Sequence, residues 1–383
     1  MLRLPPAKGS VLSTFAFTDD QLELRRTVRG FCERRSPEHE VRRLMETTAG
    51  YDPAVWTSLA TELGVVGLAV PEDLGGSGGG ILEQLVVLEE LGRRLVCAPY
   101  LASAVLATHT LVESADTAAQ ERWLPALAAG EMIATLAVAE ESGRWDPTGI
   151  ATTAQLDGSG WRVSGVKSYV LDGTIADLLL VAARTPDGVS LFAIEANADG
   201  VTRTALQTVD LTRKLARIEF ARTPATPVAT IGGGTRTLER VLEVAVTALA
   251  AEQVGGAQVA LDMAVDYAKQ RVQFGRPIGS FQAVKHRCAD MLLEVESART
   301  AAYYAGWCIA DDTADRSEAV SVAKSSCSAA YVAVAAGNIQ VHGGIGFTWE
   351  HPAQLYFKRA KSSEALFGQP SRWREQLAGL IGL

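Results

Sequence analysis

The chain has 383 residues, 48% hydrophobic and 21% charged, so it carries enough apolar material for more than one core and is not a disordered polypeptide. A formal net charge of −8 argues against a nucleic-acid protein, whose affinity depends on a basic face. Five cysteines (Cys32, Cys97, Cys288, Cys308 and Cys327) show neither C-x-x-C nor metal spacing, which implies reduced cytosolic thiols and no metal site.

The N-terminal stretch MLRLPPAKGSVLSTFAF lacks the apolar core of a signal peptide. From Thr18 to Gly130 apolar residues recur at three- and four-residue spacing through LELRRTVRGFCERR, VWTSLATEL and ILEQLVVLEELGRRL, the pattern of a helical bundle. PEDLGGSGGG interrupts it and reads as a loop, because glycine costs about 1 kcal/mol in a helix. No strand precedes those glycines and no lysine follows, so they are not a phosphate cradle. Between Ala134 and Thr230 the texture is short β-rich runs, WRVSGVKSYV, DLLLVAART, VSLFAIEA and LARIEFART, which predict an antiparallel sandwich or barrel without βαβ crossovers. Helical periodicity returns from Leu238, with one proline-free helix predicted to Gln273. The apolar run Val244–Ala251 within it ends at Glu252 and suits a buried helix better than a membrane span. The expected division is an N-terminal helical domain over 1–130, a β domain over 131–230 and a C-terminal helical bundle over 231–383.

Residues 254–291, VGGAQVALDMAVDYAKQRVQFGRPIGSFQAVKHRCADM, resemble the flavin-binding signature of the acyl-CoA dehydrogenase family. IQVHGGIGFTWEHPAQLYFKRAK, from Ile339, resembles the family's Q-x-x-G-G-x-G-[YF] motif, and WRVSGVKSYVLDG, from Trp161, is similar to its G-x-K-x-W-I-T-N strand. The resemblance implies FAD, an acyl-CoA substrate, electron-transfer flavoprotein as electron acceptor, and a dimer of dimers whose C-terminal domain is a four-helix bundle. It places Arg271 on the pyrophosphate and Phe274 beside the adenosine of a neighbouring subunit's FAD, with Gln282, Gln340, Gly343 and Gly344 on the same cofactor. A guanidinium suits phosphate as a planar fork, and glycine lets backbone approach closely. Tyr169 corresponds to the flavin-stacking aromatic and Leu171 to the flavin-side threonine. His342 reads as structural.

The family removes an α-proton from the thioester with a glutamate and passes the β-hydrogen to the flavin as hydride. Most members carry that glutamate 27 residues after the motif glutamine, which from Gln340 is Phe367, next to the retained Gly368. A smaller branch carries it 29 residues before the F-G phenylalanine, which from Phe274 is Ala245. Neither is a carboxylate. Glu243, which matches a position contacting CoA in some members, lies about 200° around the helix from Ala245, and Glu252 about 10 Å along it. Glu364 is a third candidate. The T-E-P-x-x-G-S-D loop is here AEESGRWD, residues 139–146, and the arginine after the branch base is Val246. Three readings follow: a base-lacking subunit resembling that of actinobacterial heterotetramers, whose partner supplies the glutamate; a self-sufficient dehydrogenase with a displaced base; or a family member that uses FAD for oxygenation or only binds acyl-CoA.

Overall fold

The computed structural model describes residues 17–158 and 160–383. The reading of the first sixteen residues as free of a signal peptide lies outside them.

The N-terminal helices are α1 (Asp19–Arg35), α2 (Glu38–Met45), α3 (Pro53–Thr61), α4 (Ile81–Arg93), α5 (Thr108–Ser114) and α6 (Thr117–Ala128). Thr18 caps α1 in a reciprocal box with Gln21. A fully buried π-helical turn, Leu101–Ala107, precedes α5. The glycine-rich stretch after Leu74 forms the expected loop before α4.

Seven strands follow: β1 (Ala134–Ala137), β2 (Thr153–Asp157), β3 (Gly160–Leu171), β4 (Leu178–Thr185), β5 (Gly188–Glu195), β6 (Val201–Ala205) and β7 (Leu215–Val228). Their order is β1-β4-β2-β3-β7-β5, with β6 added on β7 and a β4–β5 pairing that closes the sheet on itself. The barrel expectation holds with one correction: β1 runs parallel to β4, and β2 touches β4 in parallel as well. The chain reaches that pairing through β2 and β3 rather than through a crossover helix, so no βαβ texture marks it in sequence. Strand alternation explains the near-continuous burial of β4. Leu179, Val181 and Ala183 enter the barrel core with Phe192 and Ile218, while Leu178, Leu180 and Ala182 join the core shared with the helices.

The C-terminal part is built on α7 (Gly234–Gln270), 37 residues and about 55 Å long. A two-stranded hairpin, β8 (Val272–Gln273) and β9 (Arg276–Pro277), leads to α8 (Gln282–Ala310), α9 (Arg316–His342), α10 (Ala353–Ala365) and α11 (Pro370–Leu380). α7 and the Arg316–Phe347 segment are long and apolar enough to cross a membrane, yet 89% and 61% of their apolar windows are buried within the fold, as expected of core helices. α4 and α7 cross with their backbones in contact: a Cβ on Gly255 would lie 1.9 Å from the Glu89 carbonyl oxygen, so only glycine fits there.

Candidate functional site

Two groups of candidate residues lie at opposite ends of α7. At its C-terminus, helix hydrogen bonding stops at Arg271 and the hairpin turns at Phe274, whose φ of +54° is rare for an aromatic residue. Phe274 is 92% exposed and stands edge-on to Phe281, over which Arg276 stacks. Arg271 is exposed and has no ion pair among the described residues. Gln282 opens α8, and Gln340 lies in the last turn of α9. Tyr267 stacks on His342 at 4.2 Å, which ties the end of α7 to the end of α9. His342 is buried and its Nδ1 bonds the Asn338 carbonyl. Gly343 has φ +65°, and added Cβ atoms on Gly343 or Gly344 would meet nothing within 4 Å. These glycines face open space. An arginine, an exposed aromatic ring and a bare glycine turn offer chemistry suited to a phosphate-bearing ligand.

The second group surrounds the N-terminal half of α7. An extra residue bulges β3 between Lys167 and Val170, where Val170 pairs with Ala216 although Lys167 pairs with Ile218. Tyr169 occupies the bulge at φ +58° and is 38% exposed, so its ring is available to a ligand, whereas Leu171 is buried. The Leu171 carbonyl accepts a bond from the Thr135 hydroxyl at 2.7 Å. Lys167, 0% exposed, donates to the Val138 carbonyl and to Glu140, both at 2.9 Å. Burial pulls the Lys167 ammonium down to about 8 against the opposing pull of Glu140. Burial works to raise the Glu140 carboxyl, but Lys167 and the Thr152 N–H outweigh it and hold it below its ordinary value. This pair fixes the 139–152 loop on β3.

That loop carries Trp145 into the site. Trp145 is buried and meets Phe367 edge-on, centroids 4.9 Å apart. Phe367 is 0% exposed and follows the end of α10 with φ +60°, and its carbonyl accepts from Trp373 Nε1 at 3.0 Å. Gly368 continues the left-handed turn at φ +101°. Lys324, fully buried in α9, donates to the Ser363 and Glu364 carbonyls at the end of α10, where the helix dipole favours a positive group while burial pulls its ammonium down to about 7. Ala245 is fully buried in α7. Aromatic packing therefore fills the turn that the motif count equates with the family's base position.

None of the three candidate glutamates is free to replace it. Glu243 pairs with Arg316 at 2.6 Å and accepts from Ser317. Glu252 is clamped by Arg213 and Arg359, each at 2.5 Å. Burial works to raise its carboxyl, but the two guanidiniums prevail and hold it below its ordinary value. Glu364 pairs with Lys361 one turn back on α10. Sequence reading missed Trp145, Lys167 with Glu140, and the two arginines. The aligned loop and the G-x-K lysine were the signals available for the first three.

The chain matches the family descriptions for the acyl-CoA dehydrogenase N-terminal domain over 18–131, the middle domain over 135–222 and the C-terminal domain over 232–379. The chain belongs to the acyl-CoA dehydrogenase family. It is 37% identical to acyl-CoA dehydrogenase IpdE2 of Mycolicibacterium smegmatis over 361 residues, 93% of this chain and 96% of that protein. It is 35% identical to acyl-CoA dehydrogenase FadE27 of Mycobacterium tuberculosis over 347 residues, 87% of this chain and 89% of that one. Among solved structures, a chain of the ChsE4-ChsE5 complex from Mycobacterium tuberculosis superposes with a TM-score of 0.88 at 32% identity, covering 96% of this chain and 98% of that one. Acyl-CoA dehydrogenases are FAD-dependent oxidoreductases acting on acyl-CoA, so the three-domain fold and the cofactor expected from the motifs stand. The residues present fit FAD unequally. The exposed hairpin and the open glycine turn suit its phosphates and adenosine, while at the position expected beside the ring Leu171 supplies no hydroxyl and Trp145 stands at the loop's expected serine position.

Proposed function

We propose that this chain is one subunit of an acyl-CoA α,β-dehydrogenase assembly, and that a homologous partner subunit supplies the glutamate base. The observation that carries this reading is Phe367, buried edge-on against Trp145 where most members hold the base. The length of α7 supports a flavin site shared between subunits. Ala245 and Arg271 are separated by 26 residues of sequence, or about 39 Å along the helix, farther than an extended FAD reaches. Arg271, Phe274, Gln282, Gln340, Gly343 and Gly344 would therefore serve a flavin whose reacting ring lies in another subunit. There the guanidinium holds phosphate as a fork and Phe274 covers the adenosine. FAD, once bound, accepts the hydride; this chain's residues bind and orient it.

Likeness to a chain of a complex named for two different proteins supports a hetero-oligomer. Exposed Leu292, Leu293, Ile345, Phe347 and Trp349 on the C-terminal part give the assembly apolar surface to bury. The resemblance to steroid-enzyme chains supports a bulky acyl group as substrate, with electrons leaving to electron-transfer flavoprotein. Tyr169 and the Phe367–Gly368 turn remain the chain's own contacts to a flavin or acyl group.

Co-purification with a homologous partner tests the reading, with subunit ratio and bound FAD as the readouts. Arg271→Ala should weaken FAD binding about 10- to 150-fold, the loss of a charge-assisted phosphate contact of about 1.5–3 kcal/mol, with the helical circular dichroism unchanged. Full flavin retention by the variant assembly after dialysis would remove Arg271 from the site.

A further inference from the structure

The chain carries a formal charge of −8, yet between Asp266 and Asp290 it holds Lys269, Arg271, Arg276, Lys285 and Arg287 and no acidic residue. That segment is the end of α7, the β8–β9 hairpin and the start of α8. All of these cations are exposed, and none has an ion pair among the described residues. In an acidic protein such a stretch concentrates uncompensated positive potential at one end of α7.

The hairpin decides which of them converge. Gln273 stands opposite Arg276 and Val272 opposite Pro277, and the Ile278 N–H closes the pair on the Arg271 carbonyl at 2.8 Å. Opposed residues of an antiparallel pair share a face, as do alternate residues of one strand. Arg271 is already extended, at φ −72° and ψ 120°, so Arg271, Gln273 and Arg276 fall on one face. The two arginines are diagonal neighbours there, a separation of about 7–8 Å that long side chains span. Phe274 and Gly275 between the strands have φ +54° and +77°, the signature of the type I′ turn that suits so short a hairpin. The Arg276 guanidinium lies over the Phe281 ring, 4.2 Å from its centroid, and Phe281 stands edge-on to Phe274 at 6.0 Å. Such a contact spends the face of a guanidinium and leaves its N–H groups for an acceptor.

We propose that Arg276 is a second phosphate-binding arginine, which forms with Arg271 a clamp on the pyrophosphate of FAD. The inference rests on the reading that this hairpin serves a flavin, and it adds to that reading the guanidinium that Phe281 holds ready. A pyrophosphate bridge carries a negative charge on each phosphate, so one guanidinium leaves a charge unmatched and two on one face match both. Lys269, Lys285 and Arg287 lie on the flanking helices and supply attraction at longer range.

Titration of the flavin-depleted assembly with FAD, followed by flavin fluorescence, compares wild type with Arg276→Gln and Arg276→Lys. Arg276→Gln should weaken FAD binding about tenfold, the loss of a charge-assisted phosphate contact. Arg276→Lys keeps the charge without the planar fork and should lose about threefold. Raising the salt from about 0.05 to about 0.5 M should shrink the Arg276→Gln defect to about threefold, because an exposed charge pair is screened. A defect that salt leaves unchanged, or one equally large in both variants, would make Arg276 a packing residue of the hairpin and overturn the proposal. Wild-type affinity in Arg276→Gln would overturn it as well. Arg271→Ala, titrated in parallel, separates the inference from the reading beneath it. Weakened binding there with wild-type binding in Arg276→Gln overturns the clamp alone, whereas unchanged binding in both removes the hairpin from the flavin site.

Discussion

Purified without a partner, the chain should oxidise acyl-CoA about 10²- to 10⁴-fold more slowly than an acyl-CoA dehydrogenase with its glutamate in place, because a positioned general base contributes that much to rate. Proton removal from a thioester α-carbon needs a carboxylate within hydrogen-bond reach of that carbon. The described candidates are committed: Glu243 to Arg316, Glu252 to two arginines, Glu364 to Lys361. Freeing Glu252 would expose two buried guanidiniums, a cost comparable to the catalysis it would supply. Dye reduction by the isolated chain, measured with a panel of acyl-CoAs, checks the rate. Turnover within tenfold of an ordinary member would return the displaced-base reading to first place.

Arg359→Leu should cost about 3–5 kcal/mol of unfolding free energy, since it strands Glu252 and Asp210 in the interior with one guanidinium between them. The loss is read as a drop in urea midpoint at constant slope. Arg26→Leu, which breaks an ion pair on the exposed face of α1, should leave the midpoint where it is. Equal effects from the two substitutions would show that the interdomain cluster contributes no more than a surface pair. Arg359 joins α10 to α7 and to the β6–β7 connection, so its removal should also relax the turn that holds Phe367.

Features written locally in the chain are legible in the sequence itself. Short β-rich runs mark β4 and β5, and the proline-free apolar run of α7 predicts a buried helix. The R-x-x-F-G and Q-x-x-G-G motifs each sit within one turn, so their residues are neighbours in space as well as in sequence. The filled pocket was not legible, because Trp145 and Phe367 are 222 residues apart and meet only after the barrel has packed on the bundle. The base position and its occupant Phe367 could be counted; the Trp145 packed against it could not. The cluster of Glu252, Arg213, Arg359 and Asp210 has the same character, since its charges come from α7, the β6–β7 connection and α10. The parallel β1–β4 pair depends on barrel closure, which no local pattern encodes. Left-handed backbone at Tyr169, Phe274 and Phe367 was likewise invisible, as aromatic residues do not advertise positive φ. All three are candidate contact positions, and strain held there by surrounding packing is consistent with functional positions.

The central claim is that the proton-abstracting carboxylate belongs to another chain. Anaerobic flavin bleaching by acyl-CoA, in the complex of this chain with its homologous partner, tests it when the partner's base glutamate is replaced by glutamine. Loss of bleaching by about two decades or more, with FAD content unchanged, is the predicted result. Bleaching at the unmodified rate would place the base in this chain and contradict the account.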